Sequence, residues 1–173
     1  MKIISTLKKT TIDTPLGAVV TLADDQALHL LEFADSKNLV RKIRQIEKQD
    51  YAVVSGSTVI TERLEQELAS YFKGTSREFN TPLQFSGSVF QQSVIKQLLH
   101  VGYGETCSYS QLAQFLDKPR AVRAVAAANA SNPLAIVVPC HRVVGLDGKL
   151  RGYSGGLERK AWLLDLEKLF VST

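Results

Sequence analysis

Apolar positions recur along the chain in distinct rhythms, and each rhythm predicts a different element. Residues 16–22 and 27–33 are dense in aliphatic and β-branched side chains with Asp24, Asp25 and Gln26 between them, the pattern of two strands joined as a β-hairpin. Residues 38–49 place Leu39, Ile43 and Ile46 at helical spacing beneath a basic outer face. A longer helix is predicted over residues 58–73, with Ile60, Leu64, Leu68, Tyr71 and Phe72 on its apolar side and Gly74 as its stop. The rhythm is then lost. Residues 75–88, with Pro82, Gly87 and small polar side chains, read as a connector, so a boundary is expected near residue 86, between units 1–86 and 87–173.

The second unit opens on an amphipathic helix over residues 90–99, carrying Phe90, Val94, Leu98 and Leu99 and broken by Gly102 and Gly104. Ser108 and Gln111 have the spacing of a capping box at the head of a short helix over 109–116. Asp117, Lys118 and Pro119 make a turn, and a second short helix follows over 120–129, which together give a helix-turn-helix. Val122, Val125 and Ala126 suffice to pack that second helix inward, yet its outer face is also nearly all alanine, with Arg120 and Arg123 at its start. Such a face suits close approach to a nucleic-acid backbone or narrow groove. It equally suits a buried packing helix. The last helix, over 158–170, is expected to turn Trp162, Leu163, Leu166, Leu169 and Phe170 inward.

Hydrophobic content of 45% and charged content of 22% are those of an ordinary globular protein, and 173 residues allow two small domains. No apolar run approaches the roughly 18 residues of a membrane span. The first residues are too few and too charged for a signal-peptide core. Cys107 and Cys140 form neither a disulfide framework nor a zinc-binding pair, so a reducing, cytoplasmic location is expected. Residues 1–87 hold 11 basic and 11 acidic side chains and residues 88–173 hold 10 and 6, so the net charge of +4 resides in the second half. That excess fits an anionic partner such as nucleic acid, or an ordinary solvated surface.

Candidate chemistry gathers in the same half. The run 135–145 is strand-like, halts at Pro139 and delivers Cys140 and His141 side by side with Arg142 next. The thiolate is the nucleophile, and neighbouring cationic or proton-accepting groups raise its population. An inert core cysteine is the alternative at this point. Glu167 sits among apolar positions of the last helix and needs a partner, for which His141 is the candidate. Glu167, His141 and Cys140 would then form a thiol triad. The glycine-rich residues 150–156 allow a close backbone approach to a ligand, or are a plain connector. His29, with no second ligand type near it, is expected to be a hydrogen-bonded structural histidine.

Taken together these residues resemble the O6-alkylguanine-DNA alkyltransferases, the methylated-DNA–protein-cysteine methyltransferases. The likeness runs over essentially the whole chain. It is carried by Thr-Pro-Leu-Gly at 14–17, Tyr-Phe-Lys-Gly at 71–74, Gly-Glu-Thr-Cys-Ser-Tyr at 104–109, Pro-Arg-Ala-Val-Arg-Ala-Val at 119–125, Asn-Pro at 132–133, Val-Pro-Cys-His-Arg-Val at 138–143, Gly-Tyr-Ser-Gly-Gly at 152–156 and Leu-Leu-Asp-Leu-Glu at 163–167. The resemblance implies an α+β fold. A small antiparallel-sheet-plus-helix domain, ribonuclease-H-like, would precede a mainly helical domain with a winged-helix-like helix-turn-helix. It implies Cys140 as alkyl acceptor, activated through His141 and Glu167, with Asn132 bracing the active-site turn and Tyr109 donating a proton to the guanine leaving group. Val143, Tyr153 and Ser154 would line the pocket for a flipped base. Arg123 would enter the minor groove as an arginine finger, with Arg120, Ala121, Ala124 and Ser110 also at the DNA.

The activity implied is direct repair: one irreversible transfer per molecule from O6-alkylguanine, and O4-alkylthymine beside it, in double-stranded DNA. No cofactor and no metal enter the scheme, and a monomer is expected. Ile95 and Gly102 depart from the family's usual tryptophan and proline. Three rivals remain at this stage. An alkyltransferase-like lesion-binding protein would lack the acceptor cysteine, which is present. A thiol hydrolase could use the same trio. A helix-turn-helix regulator would need long polar side chains where the alanines stand.

Overall fold

The computed structural model describes residues 5–172. The chain divides into two compact units, Met1–Gln84 and Phe85–Thr173. The first unit runs β1 (Ser5–Ile12), β2 (Val19–Ala23), β3 (Leu28–Phe33), α1 (Leu39–Glu47), β4 (Tyr51–Ser55) and α2 (Val59–Phe72). The predicted hairpin is β2 and β3, both buried at every position. Two further strands extend it on the β2 side, and hydrophobic patterning announces neither. In β1 only Leu7 and Ile12 are buried, and its lysines face solvent. β4 is a largely exposed edge strand parallel to β1, so the sheet, ordered β3-β2-β1-β4, is mixed rather than purely antiparallel.

Leu7, Leu22, Leu30 and Ile46 form one cluster of this core, with Leu39, Ile43, Tyr51 and Val53 packed on it, which fixes α1 by its helical stripe. A buried ion pair lies beside it. Lys42 of α1 donates to Glu32 of β3, whose other oxygen accepts the Phe33 N–H at 2.9 Å. His29 bonds Asp24 at 3.0 Å and meets the Tyr51 ring edge-on, in keeping with a structural histidine. The connector is strapped down. Glu67 of α2 accepts from the backbone of Asn80 and Thr81 and from the Thr81 hydroxyl, and residues 82–84 pair with Leu28.

The second unit runs α3 (Val89–Leu98), β5 (Cys107–Ser108), α4 (Tyr109–Phe115), α5 (Val122–Ala130), a single 3-10 turn (Cys140–Arg142), β6 (Val143–Val144) and α6 (Leu157–Val171). Reciprocal capping boxes start α3 (Ser88 with Gln91) and α4 (Ser108 with Gln111). α3, α4 and α5 pack on one another. The turn between α4 and α5 closes through Lys118 N–H to the Ala113 carbonyl, with Asp117 at φ 55°.

Two expectations fail here. The run 135–145 is not one strand; it is buried throughout but coils through turns, with Ile136 at φ 68°, into the 3-10 turn and two residues of β6. Pro139 has no N–H to give a ladder, and local turns satisfy the neighbouring backbone instead. In α6 the inward stripe is Lys160, Leu163, Leu164 and Glu167, while Trp162 and Leu169 face out. That stripe has the i, i+3, i+4, i+7 spacing of a packed face, and two of its four members are charged.

Candidate active site

The 3-10 turn places Cys140 and His141 on consecutive buried positions, 5% and 0% exposed. Asn132 holds the preceding segment in shape. Its amide nitrogen donates to the carbonyls of Leu134 (3.3 Å) and Val138 (3.1 Å), and its oxygen accepts the Leu134 N–H at 3.0 Å. A tight, proline-containing turn has few backbone partners of its own, so a buried asparagine completes it.

His141 bonds Glu167 of α6 through Nε2 at 2.7 Å, both side chains fully enclosed. Glu167 has more partners than the sequence suggests. Arg142 grips it with two bonds, Nε to Oε2 at 2.9 Å and Nη2 to Oε1 at 3.0 Å, and the Gly104 N–H donates to Oε2 at 3.1 Å. Arg142 also donates to the Val101 carbonyl. Burial alone would raise the Glu167 pKa, but bonds and charge from His141 and Arg142 outweigh it and hold the carboxyl at about 2. Burial lowers the His141 pKa, against the upward pull of Glu167. The carboxylate is therefore an ionised acceptor, Nε2 of a neutral His141 carries the proton, and Nδ1 keeps its lone pair. Nδ1 is buried with no hydrogen-bond partner among the described residues.

A small cavity borders Cys140, lined by Asn129, Ala130, Asn132, Ala135, Gly152, Tyr153 and Ser154. Its volume, about 10 Å³, is room for about one water molecule and not for a base. Tyr153 and Ser154 stand where a pocket wall was expected. Val143 does not line the cavity: it is fully buried and its backbone pairs with Cys107. Tyr109, at the head of α4, donates from its hydroxyl to the Arg151 carbonyl at 3.2 Å. Burial raises its pKa, and the charge of Cys140 adds to the rise.

Lys160 is a buried cation that sequence reasoning missed. It donates to the carbonyls of Arg151 and Gly152, and burial lowers its pKa to about 8, opposed by the Cys140 charge. Its signal was available as a lysine at an inward helical position, seven residues before Glu167. On α5, Arg123 and Ala124 are exposed; half-buried Ala121 and exposed Arg120 lie just before the helix, and Ser110 on α4 is half-buried. Val125, Ala128 and Asn129 are its buried residues, not Val122 and Ala126. Among the described residues, no three His, Cys, Asp or Glu side chains gather as a metal site.

A helix-turn-helix and a buried cysteine, histidine and glutamate in one unit, with the sheet in the other, define a thiol-bearing protein with a DNA-binding type of domain. Residues 89–169 match the DNA-binding domain of 6-O-methylguanine DNA methyltransferase and residues 7–85 match its ribonuclease-like domain. The chain belongs to the methylated-DNA–protein-cysteine methyltransferase family. It is 41% identical over 158 residues to the Mycobacterium tuberculosis protein of that name, covering 91% of this chain and 90% of the relative. The Methanosarcina barkeri protein of the same name is 38% identical, covering 91% and 94%. Among solved structures, M. tuberculosis OGT in complex with DNA superposes with a TM-score of 0.81 at 38% identity, covering 95% and 94% of the two chains. O6-methylguanine-DNA methyltransferase from Pyrococcus kodakaraensis gives 0.66 at 26%, covering 93% and 98%.

Proposed function

We propose that the protein repairs alkylated DNA directly, moving the alkyl group from O6 of guanine to Cys140 once per molecule. The observation that carries this reading is Cys140 at a cavity wall beside a neutral histidine already oriented by an ionised glutamate. His141 Nδ1, which has no partner among the described residues, takes the thiol proton by way of a bridging water. The sulfur forms a bond to the alkyl carbon as the carbon–O6 bond breaks, and the electron pair leaves on guanine, where a proton from Tyr109 neutralises it. The product is a thioether, which thiol exchange does not cleave, so the cysteine is consumed.

An alkyl group at O6 of a stacked base is out of reach, so the base must leave the helix, at a cost of a few kcal/mol. The small exposed side chains of α5 suit minor-groove contact, and Arg123 is the arm that occupies the gap in the duplex. The cavity must also widen for a base to enter. The protein acts as a monomer on the duplex.

Duplex DNA with a labelled O6-methylguanine should transfer its label to one equivalent of protein. Cys140→Ser should abolish transfer and leave DNA binding intact. Arg123→Ala should slow repair in duplex DNA by about tenfold, equivalent to ~1.4 kcal/mol, and by much less in single strands. Label on the serine variant, or transfer beyond one equivalent, would overturn the reading.

A further inference from the structure

The inward stripe of α6 carries two charges, Lys160 and Glu167, two turns apart on one face and both 0% exposed. Glu167 is matched by His141, Arg142 and the Gly104 N–H. Lys160 meets no carboxylate among the described residues. Its ammonium donates to the carbonyls of Arg151 and Gly152 and lies 5.9 Å from the centroid of the Tyr109 ring. Carbonyls and a ring face solvate a cation only in part, and burying one without a counter-ion costs stability that methionine or leucine would not lose here. A buried charge of this kind has a use where an anion forms only during the reaction.

Such an anion arises close by. Gly152, whose carbonyl accepts from Lys160, lines the cavity that Cys140 borders, and the charge of Cys140 opposes the fall in the Lys160 pKa. We propose that Lys160 is the charge partner of the Cys140 thiolate and stabilises the negative sulfur that attacks the alkyl carbon. This rests on the reading of Cys140 as the nucleophile of alkyl transfer. The other groups around the thiol are already committed. Arg142 and Glu167 pair with each other, and His141 gives its Nε2 proton to that same carboxylate. Burial raises the pKa of Tyr109 and of Cys107, so both stay neutral at pH 7, and Arg151 turns its exposed guanidinium to Asp147. Lys160, at about 8, is still a cation at that pH, and it helps to keep His141 neutral. A nearby positive charge lowers a thiol pKa by about 1–3 units and so raises the thiolate population.

The test reads the pH dependence of Cys140 alkylation by iodoacetamide, a reagent that attacks thiolates and needs no DNA. Rates are followed by mass spectrometry of the peptide holding Cys140, which keeps Cys107 out of the signal. Lys160→Arg keeps the charge, Lys160→Gln keeps an amide donor for the two carbonyls without the charge, and Lys160→Met keeps neither. The wild type and the arginine variant should share one midpoint. In the glutamine and methionine variants it should move up by about one unit, so that the rate at pH 7 falls about tenfold. A midpoint does not depend on how readily the reagent reaches the sulfur, so changes in access cancel, and Lys160→Met supplies the charge-free midpoint should the glutamine variant not fold. Midpoints unshifted in both neutral variants would overturn the proposal, and so would a shift in methionine alone, which would make Lys160 a tether for the loop. Failure of the wild type to take label from O6-methylguanine in duplex DNA would instead sink the repair reading, and the iodoacetamide midpoints would still decide on Lys160.

Discussion

Glu167 takes four hydrogen bonds from His141, Arg142 and the Gly104 backbone in a place with no solvent, and this one carboxylate ties the 3-10 turn to α6. Its pH consequences follow from the signs of two shifts. His141 has a pKa below its ordinary 6.5, so on acidification the unfolded chain takes up that proton first and stability begins to fall below pH 6.5. Glu167, held at about 2 against an ordinary 4.5, adds a second loss as pH drops from 4.5 toward 2, of a few kcal/mol in all. Urea unfolding should therefore give midpoints that decline in two stages as pH falls below 7. The transfer rate should persist to below pH 6.5, since His141 stays neutral there; a rate already halved at pH 7 would contradict the lowered pKa. Cys140, His141 and Glu167 were legible in sequence because two are adjacent and the third interrupts an apolar stripe. Arg142 and Gly104 were not, since their bonds to Glu167 span 25 and 63 residues and only the fold closes them.

At the scale of elements, α5 carries the argument. Arg123, Ala124, Ala127 and Ala130 form an exposed face with one long side chain, and Val125, Ala128 and Asn129 anchor the opposite side. Ala124→Glu puts length and negative charge on that face without touching the core. Stability should stay within about 0.5 kcal/mol, while affinity for unmodified duplex falls by about tenfold at low salt. Anisotropy titrations and thermal melts separate the two, and a lowered melting point with unchanged affinity would make the face a packing surface after all. α2, α3 and α4 were readable from helical spacing, helped by the Gly74 stop after α2 and the capping box of α4. β1 and β4 were not: their side chains face solvent, and pairing across the sheet, which no local pattern records, makes them strands. In α6 apolar residues occur all round the helix, so the inward stripe followed its buried charges instead of its tryptophan.

At the scale of the molecule, each unit encloses an ionic group, and the two differ in what they do. In the second unit Glu167 bonds His141, and under the proposed mechanism its charge orients that imidazole. In the first, Glu32 and Lys42 face each other at 0% and 2% side-chain exposure, and the proposed mechanism uses neither. Taking two charges out of water costs more than a pair of this kind usually returns, whereas removing one partner strands the other at about 3–5 kcal/mol. Lys42→Met alone should therefore lower the urea midpoint sharply, because it leaves a buried carboxylate. Adding Glu32→Gln should recover most of that loss, since the amide oxygen can still accept the Phe33 N–H while the charge is gone. The double variant should also transfer one equivalent of label at the wild-type rate. Were it to fold as well as the wild type and still lose transfer, the first unit would have to act on the chemistry, and its role as scaffold would be wrong.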